Sequence, residues 1–285
     1  MVLTLLPTTV LAVDPTDHWT DEGNVGTLPV PVEDVYTITS AAELAAVAKA
    51  VNDQANDFSG KTIRLANTID LSAHLWVPAG SYSFPFRGSL DGAEHSITGL
   101  TVNDEAYIAA GLFGYACGGV YSDVTVTGSV SVKMDDNYSY VGSLVGYIKN
   151  SSDEKTEFSN ITANVNISGK CYYGAYYGGV AGYCTYADFI DCSVSGNVSG
   201  ESEEDVFLGG LAGYCKYCEF EGCTSSGTVY GRLTYDEDFC LGGLIGYADR
   251  CSLIDCSASG NVTGTTAYYD DGPNVGGLVG YCEGT

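Results

Sequence analysis

The side chains best suited to chemistry in this sequence are its cysteines, its acids and its histidines. There are eleven cysteines in 285 residues. Cys215, Cys218 and Cys223 stand as Cys-x2-Cys-x4-Cys, and the first pair has the spacing of half a zinc site. Zinc needs deprotonated thiols converging on one tetrahedral ion. The other cysteines recur at fixed phases: Cys192, Cys223 and Cys256 in one, Cys184, Cys215 and Cys282 in a second, Cys218 and Cys251 in a third. Recurrence of this kind suits columns of small, soft side chains turned inward. Such columns lie on separate strands and hold Cys215 and Cys218 apart, so no metal site is expected. Strands about 4.8 Å apart bring like-phased cysteines within disulfide range, so occasional cross-links are allowed. The odd number argues against a complete disulfide framework, and a mostly reduced stack suits life without oxygen.

The acids carry the second candidate chemistry. Asp and Glu number 36 against 11 Lys and Arg, a formal charge of −25. Such a chain repels nucleic acid and anionic membrane. The acids gather at Asp135-Asp136, Asp153-Glu154, Glu201 to Asp205, Asp236 to Asp238 and Asp270-Asp271. Tyr138, Tyr140, Tyr172, Tyr173, Tyr176, Tyr177, Tyr235, Tyr268 and Tyr269 lie in or beside these stretches. The expectation is an acidic, tyrosine-rich stripe. Tyrosine brings rigid contact area and a hydroxyl, which suits glycans or protein surfaces. The candidate ligand-binding residues are Tyr235, Asp236, Asp238, Tyr268, Tyr269, Asp270 and Asp271. The plainer reading is a solvated face that keeps the chain soluble. Calcium is an alternative for converging carboxylates, but no loop has the spacing of an EF-hand or a GGxGxD repeat. No cofactor is expected.

Catalysis fares poorly. A polysaccharide lyase needs a proton acceptor and cations to hold an acidic sugar. The repeats hold Lys133, Lys149, Lys155, Lys170, Lys216, Arg232 and Arg250, scattered in phase, and no histidine. A glycoside hydrolase needs two carboxylates at a set separation with divergent pKa values. The acid pairs here sit on joints with nothing to tune one against the other. No Ser–His or Cys–His pairing and no phosphate loop occurs there. The chain is therefore expected not to be an enzyme.

The elements that must position these groups come from one phrase repeated six times. It reads Gly111-Leu112-Phe113-Gly114-Tyr115, then Gly142 to Tyr147, Gly178 to Tyr183, Gly209 to Tyr214, Gly242 to Tyr247 and Gly276 to Tyr281. Successive tyrosines are 32, 36, 31, 33 and 34 residues apart. A fixed period in this range marks a solenoid or a propeller. A second phrase follows the first five and opens on Asp123, Asn160, Asp191, Gly222 and Asp255. These stretches mix Val, Ile, Thr and Cys with glycine turns, which is strand chemistry. Each period is too short for a four-stranded propeller blade. The expected fold is an all-β, right-handed parallel β-helix with an N-terminal capping α-helix. Leu112, Leu144, Val180, Leu211, Leu244 and Leu278 form one apolar column and the six tyrosines another. A glycine turn resets the alternation before each tyrosine, so the direction of that column stays open.

These phrases resemble the GLUG motif, found in bacterial surface proteins and in the β-helical region of some immunoglobulin A peptidases. The resemblance runs from about Val35 to the C-terminus, with Tyr36 to Val102 similar to the N-terminal lead-in of such proteins. It implies a β-helix at a bacterial surface. The peptidases carry an HExxH zinc motif in a separate domain. Here the histidines are His18, His74 and His95, and none fits that motif, so no protease activity carries over.

Residues 1–12 read as the end of a secretory signal, with cleavage near Ala12, and residues 13–34 as a linker. Ser40 to Asn52 is a helix with a Ser40/Glu43 capping box and Leu44, Val47, Ala48 and Val51 on one face. It caps the irregular first rungs of residues 35–102, where Lys61–Leu65, Phe86–Leu90 and Ser96–Val102 are strands and Trp76 and Pro78 pack beneath it. Residues 103–285 are the regular repeats and stop in mid-rung, so a longer protein is expected. The Asn-x-Ser/Thr triplets at Asn137, Asn160, Asn166, Asn197 and Asn261 read as turn and surface residues. The function expected is that of a secreted or cell-surface adhesin or stiff spacer, with glycans or host proteins as partners and no membrane insertion. The alternatives are a carbohydrate-active β-helix enzyme or the targeting region of a larger secreted enzyme.

Overall fold

The computed structural model describes residues 16–104, 107–235, 237–267 and 273–284. Ser40 opens the helix Ala41–Asn52, its hydroxyl accepting the Glu43 N–H at 3.3 Å. The Glu43 carboxylate turns back one residue further than a simple capping box requires. It accepts the Thr39 N–H at 2.7 Å and the Thr39 hydroxyl at 2.8 Å. Leu44, Val47, Ala48 and Val51 are buried and join one core with Ile38, Ile63 and Trp76. The Trp76 indole N–H donates to the Leu112 carbonyl at 2.9 Å, which makes it a packing residue. Residues 16–34 lack regular structure, but they are docked rather than free as a linker would be. The Trp19 indole donates to Leu71 O at 2.9 Å, and Gly26 N–H to Ala42 O at 2.8 Å. The leader reading of residues 1–12 lies outside the described residues.

The paired strands are parallel and wind into a solenoid with three faces. The long face passes through eight neighbours: Val35–Ile38, Thr62–Leu65, Ser89–Asp91, Val120–Lys133, Thr156–Cys171, Ala187–Ile190, Glu219–Glu221 and Ser252–Ile254. The tyrosine face is built from Phe113–Ala116, Val145–Ile148, Ala181–Thr185, Ala212–Lys216, Ile245–Asp249 and Val279–Glu283. The third face holds Ala109–Ala110, Tyr138–Val141, Gly174–Gly178, Asp205–Gly209, Phe239–Gly242 and Asn274–Gly276. Each repeat crosses the third face, then the tyrosine face, then the long face. No helix among the described residues is long and apolar enough to cross a membrane.

Local sequence explains the corners. The opening residues of the second phrase, Asp123, Asn160, Asp191, Gly222 and Asp255, all adopt positive φ between 50° and 64°. Asp, Asn and Gly tolerate that left-handed conformation better than other residues. Asn166 and Asn197 form a cross-rung ladder, with Asn197 N–H donating to Asn166 Oδ1 at 3.1 Å. The last glycine of the repeated phrase answers a different need. A Cβ on Gly182 would stand 2.5 Å from both Tyr176 O and Val141 N, so the two faces meet backbone to backbone there. Inside, Leu112, Leu144, Val180, Leu211 and Leu244 are buried. Beside them Tyr121, Phe158, Phe189 and Phe220 stack with centroids 5.0, 4.8 and 4.8 Å apart.

Candidate functional site

The joints between the long face and the third face stack into one edge. Glu203 and Glu204 N–H both donate to Tyr172 O at 3.1 Å, and Tyr235 N–H donates to Glu203 O at 2.9 Å. Asp205 N–H donates to Tyr173 O at 3.0 Å, and Val206 N–H to Asp238 O at 2.8 Å. Three successive rungs thus place a tyrosine or an acid at the same edge. Tyr235 is 52% exposed there, and Asp238 is exposed beside it. Asp236, Tyr268, Tyr269, Asp270 and Asp271 lie outside the described residues.

Asp205 is the inner member of this edge. Burial pushes its carboxyl up to about 6, and the charge of Asp238 adds to the effect. The Tyr176 hydroxyl reaches Asp205 Oδ2 at 3.5 Å.

The acids do not form a single stripe. Asp135 stays near the edge, 3.4 Å from Lys133. Glu154 lies at another corner, where it accepts Arg87 at 3.0 Å and the Cys117 thiol at 3.2 Å. Glu201 points off the long face between Lys170 and Arg232, and these cations hold its carboxyl below the usual range. The separation follows from phase: a joint at a different point of the period lands on a different corner.

A second feature borders the edge. Tyr115, Tyr147, Tyr183, Tyr214, Tyr247 and Tyr281 form a half-buried to exposed outer column. Their successive centroids are 5.6, 4.7, 4.8, 4.8 and 5.1 Å apart. Tyr140, Tyr176 and Phe207 from the third face meet this column edge-on, at 4.9 Å for Tyr140–Tyr147 and 5.6 Å for Phe207–Tyr214. Tyr82 adds a ring at one end, 6.1 Å from Tyr115, with Lys149 Nζ 3.7 Å from its centroid. The column's direction, open in the sequence, is therefore outward. Because each ring covers its neighbour's face, the strip offers ring edges and hydroxyls rather than flat platforms. Burial pushes the Tyr115 phenol up to about 12, and it raises those of Tyr140, Tyr176 and Tyr183 as well.

The seven cations of the repeats are all engaged. Lys133, Lys155, Lys170, Lys216, Arg232 and Arg250 pair with carboxylates, four of them (Lys155, Lys170, Lys216 and Arg232) across rungs, while Lys149 covers Tyr82.

The thiols contradict the expected separation. Cys184 Sγ is 3.1 Å from Cys215 Sγ and 3.9 Å from Cys218 Sγ, and the three sulfurs lie within 4.8 Å of one another. All three are buried. A left-handed turn at Tyr217, φ +55°, folds Cys218 back over the end of the strand carrying Cys215. Cys223 stands apart, in the column of Cys192. Burial drives the Cys215 and Cys218 thiols up. It acts on Cys184 too, but donation from Cys215 and Cys218 outweighs it and brings Cys184 down to about 6. Among the described residues this is the one group of three potential ligand side chains that converges; the described acids of the edge form no such group. A cue was present in the repeat: Cys184-x2-Ala187, Cys215-x2-Cys218 and Ala248-x2-Cys251 are aligned.

Residues 238–263 match the family model of the GLUG motif. A crystal structure of a putative immunoglobulin A1 protease from Bacteroides ovatus resembles this one with a TM-score of 0.57 at 18% identity. The alignment covers 87% of this chain and 83% of the other. At that identity the likeness concerns the fold. No curated protein matches the sequence.

Proposed function

We propose that the chain is a non-catalytic extracellular β-solenoid of a bacterial surface protein, acting as a stiff arm that presents an adhesive edge. The observation carrying this reading is the stacked joint of Tyr172-Tyr173, Glu203-Glu204 and Tyr235 with Asp238, laid beside the outer tyrosine strip. Repetition gives an extended contact surface in place of one pocket, which suits a polymeric partner such as a glycan or a cell-surface protein. Ring edges and phenolic hydroxyls supply hydrogen bonds to such a partner, and the acids exclude anionic ones. Stiffness comes from the cross-rung hydrogen bonds and stacked cores, each rung resting on the next. The engagement of every repeat cation with a carboxylate or a ring favours this reading over a lyase, which needs cations turned toward substrate. The GLUG match supports a surface or targeting region.

The test is binding of the purified full chain to glycan and host-protein arrays, with and without calcium. A specific signal lost in the double variant Tyr235→Ala/Asp238→Ala, with the β-type circular dichroism unchanged, supports the adhesive edge. Dependence of that signal on calcium adds a metal to the edge. A folded chain that binds nothing in either condition removes the adhesive role and leaves the stiff arm.

A further inference from the structure

We propose that Cys184, Cys215 and Cys218 bind one thiophilic divalent cation, of the zinc class, at the corner between the tyrosine face and the long face. Zinc–sulfur bonds of about 2.3 Å place the sulfurs of a tetrahedral site about 3.8 Å apart. The separations of 3.1 and 3.9 Å from Cys184, with the third inside 4.8 Å, bracket that value. Small rotations about the cysteine side chains close the difference. The donor set is thiol alone, which selects soft ions over calcium or magnesium.

Two further observations point to the same corner. A surface depression of about 450 Å3, lined by Tyr186, Tyr217, Cys218, Arg250 and Cys251 among others, lies against the cluster at Cys218. Cys251, whose thiol lies 3.5 Å from Cys215 O and which also lines the depression, or water would complete the shell. Lys155, Lys216 and Arg250 stand around the corner, each paired with a carboxylate of Asp188, Glu219 or Asp249, so the surroundings of the thiols are mixed in charge rather than purely acidic. Binding is a simple exchange. Three S–H bonds give their protons to solvent, three metal–sulfur bonds form, and no electron moves.

The repeat supplies its own controls. Ala248 occupies the Cys184/Cys215 column one rung on, and Ala187 precedes Cys218 in its column. Alanine is thus already housed at both positions, and the variants are expected to fold.

The experiment uses the full chain, stripped of metal and kept reduced without a chelating reductant, then loaded with Zn(II) or Cd(II). One ion should stay with each chain after desalting, and Cd(II) should give ultraviolet thiolate-to-metal charge-transfer absorption. Both signals should vanish in Cys184→Ala, Cys215→Ala and Cys218→Ala and persist in Cys192→Ala, which lies in the other column. Alkylation mapped by mass spectrometry provides a readout in the unmutated chain: Zn(II) should protect Cys184, Cys215 and Cys218. The proposal is overturned if the folded chain retains no ion, if retention survives Cys215→Ala, if Cys192→Ala abolishes it equally, or if Zn(II) leaves the three thiols unprotected.

Discussion

Tyr183 lies flat on Tyr214, with ring centroids 4.8 Å apart and planes 2° from parallel. The pairing follows from register, since the two residues are direct partners on neighbouring parallel strands. Tyr214 is covered in the same way by Tyr247 on its other side. Within the column Tyr214 therefore makes two stacked pairs and Tyr281 one, and Tyr214 is also met edge-on by Tyr176 and Phe207. Each pair contributes about 0.5–1.5 kcal/mol. Tyr214→Ala should destabilise by about 1–3 kcal/mol from stacking, and Tyr281→Ala by roughly half as much. Denaturant unfolding of the two variants measures the ratio, and equal losses would show that stacking contributes little.

The same burial governs the phenols. Desolvation disfavours phenolate, so Tyr121, Tyr177 and the inner strip tyrosines resist ionisation. Alkaline titration of the folded chain followed by ultraviolet absorbance should ionise only part of the 22 tyrosines near pH 10. The remainder should titrate at higher pH or together with unfolding. A single transition near 10 covering all of them would contradict the outer column's half-burial.

Tyr121 is the one hydroxyl in an inner ladder otherwise made of Phe158, Phe189 and Phe220. Its oxygen is buried and makes no hydrogen bond. A buried hydroxyl without a partner costs free energy that its removal returns. Tyr121→Phe is expected to stabilise the chain by about 1 kcal/mol. Thermal or denaturant unfolding decides it, and a loss of that size would mean the hydroxyl has a partner in solution.

Gly182→Ala should act in the opposite direction. The added methyl would meet backbone atoms of Tyr176 and Val141 at 2.5 Å, and backbone cannot rotate away. The expected cost is about 1–3 kcal/mol, the usual range for overpacking. Gly277→Ala, at another position of the phrase, is the open-space control, because a Cβ there meets nothing within 4 Å. Equal effects at the two sites would remove the close-approach explanation of the repeated phrase.

Asp205 gives a pH dependence of defined sign. Its carboxyl titrates near 6 in the fold against 3.8 unperturbed, because burial and then Asp238 disfavour its charge. Between these values the native state holds a proton that the unfolded chain has lost. Its contribution to stability is full below about 4 and falls away as pH rises through about 6. Asp205→Asn should flatten this part of the profile. Unfolding midpoints of both proteins at several pH values in this window provide the check, and parallel profiles would refute the assignment.

The sequence by itself determined the period, the parallel β architecture, the capped helix at Ser40 and the inward column of Leu112, Leu144, Val180, Leu211 and Leu244. These depend on local spacing and on side-chain preferences that repeat in every rung, so one period reports on all. The positive-φ corners were legible in retrospect, since Asp, Asn or Gly opens each second phrase. Tertiary structure decided the direction of the tyrosine column, because a glycine corner resets the alternation that would otherwise fix it. It also decided which joints share an edge, since Glu203 and Glu154 lie at different phases of the turn and so on different corners. The convergence of Cys184, Cys215 and Cys218 belongs there too. Strand phase alone kept Cys215 and Cys218 apart, whereas a left-handed corner at Tyr217, repeated at Tyr186 and Arg250, brings the two columns together. The corner recurs in each of these rungs, but its residues are Tyr186, Tyr217 and Arg250 rather than the Gly, Asn or Asp that announce positive φ, so the packed rungs were needed to show what it brings together.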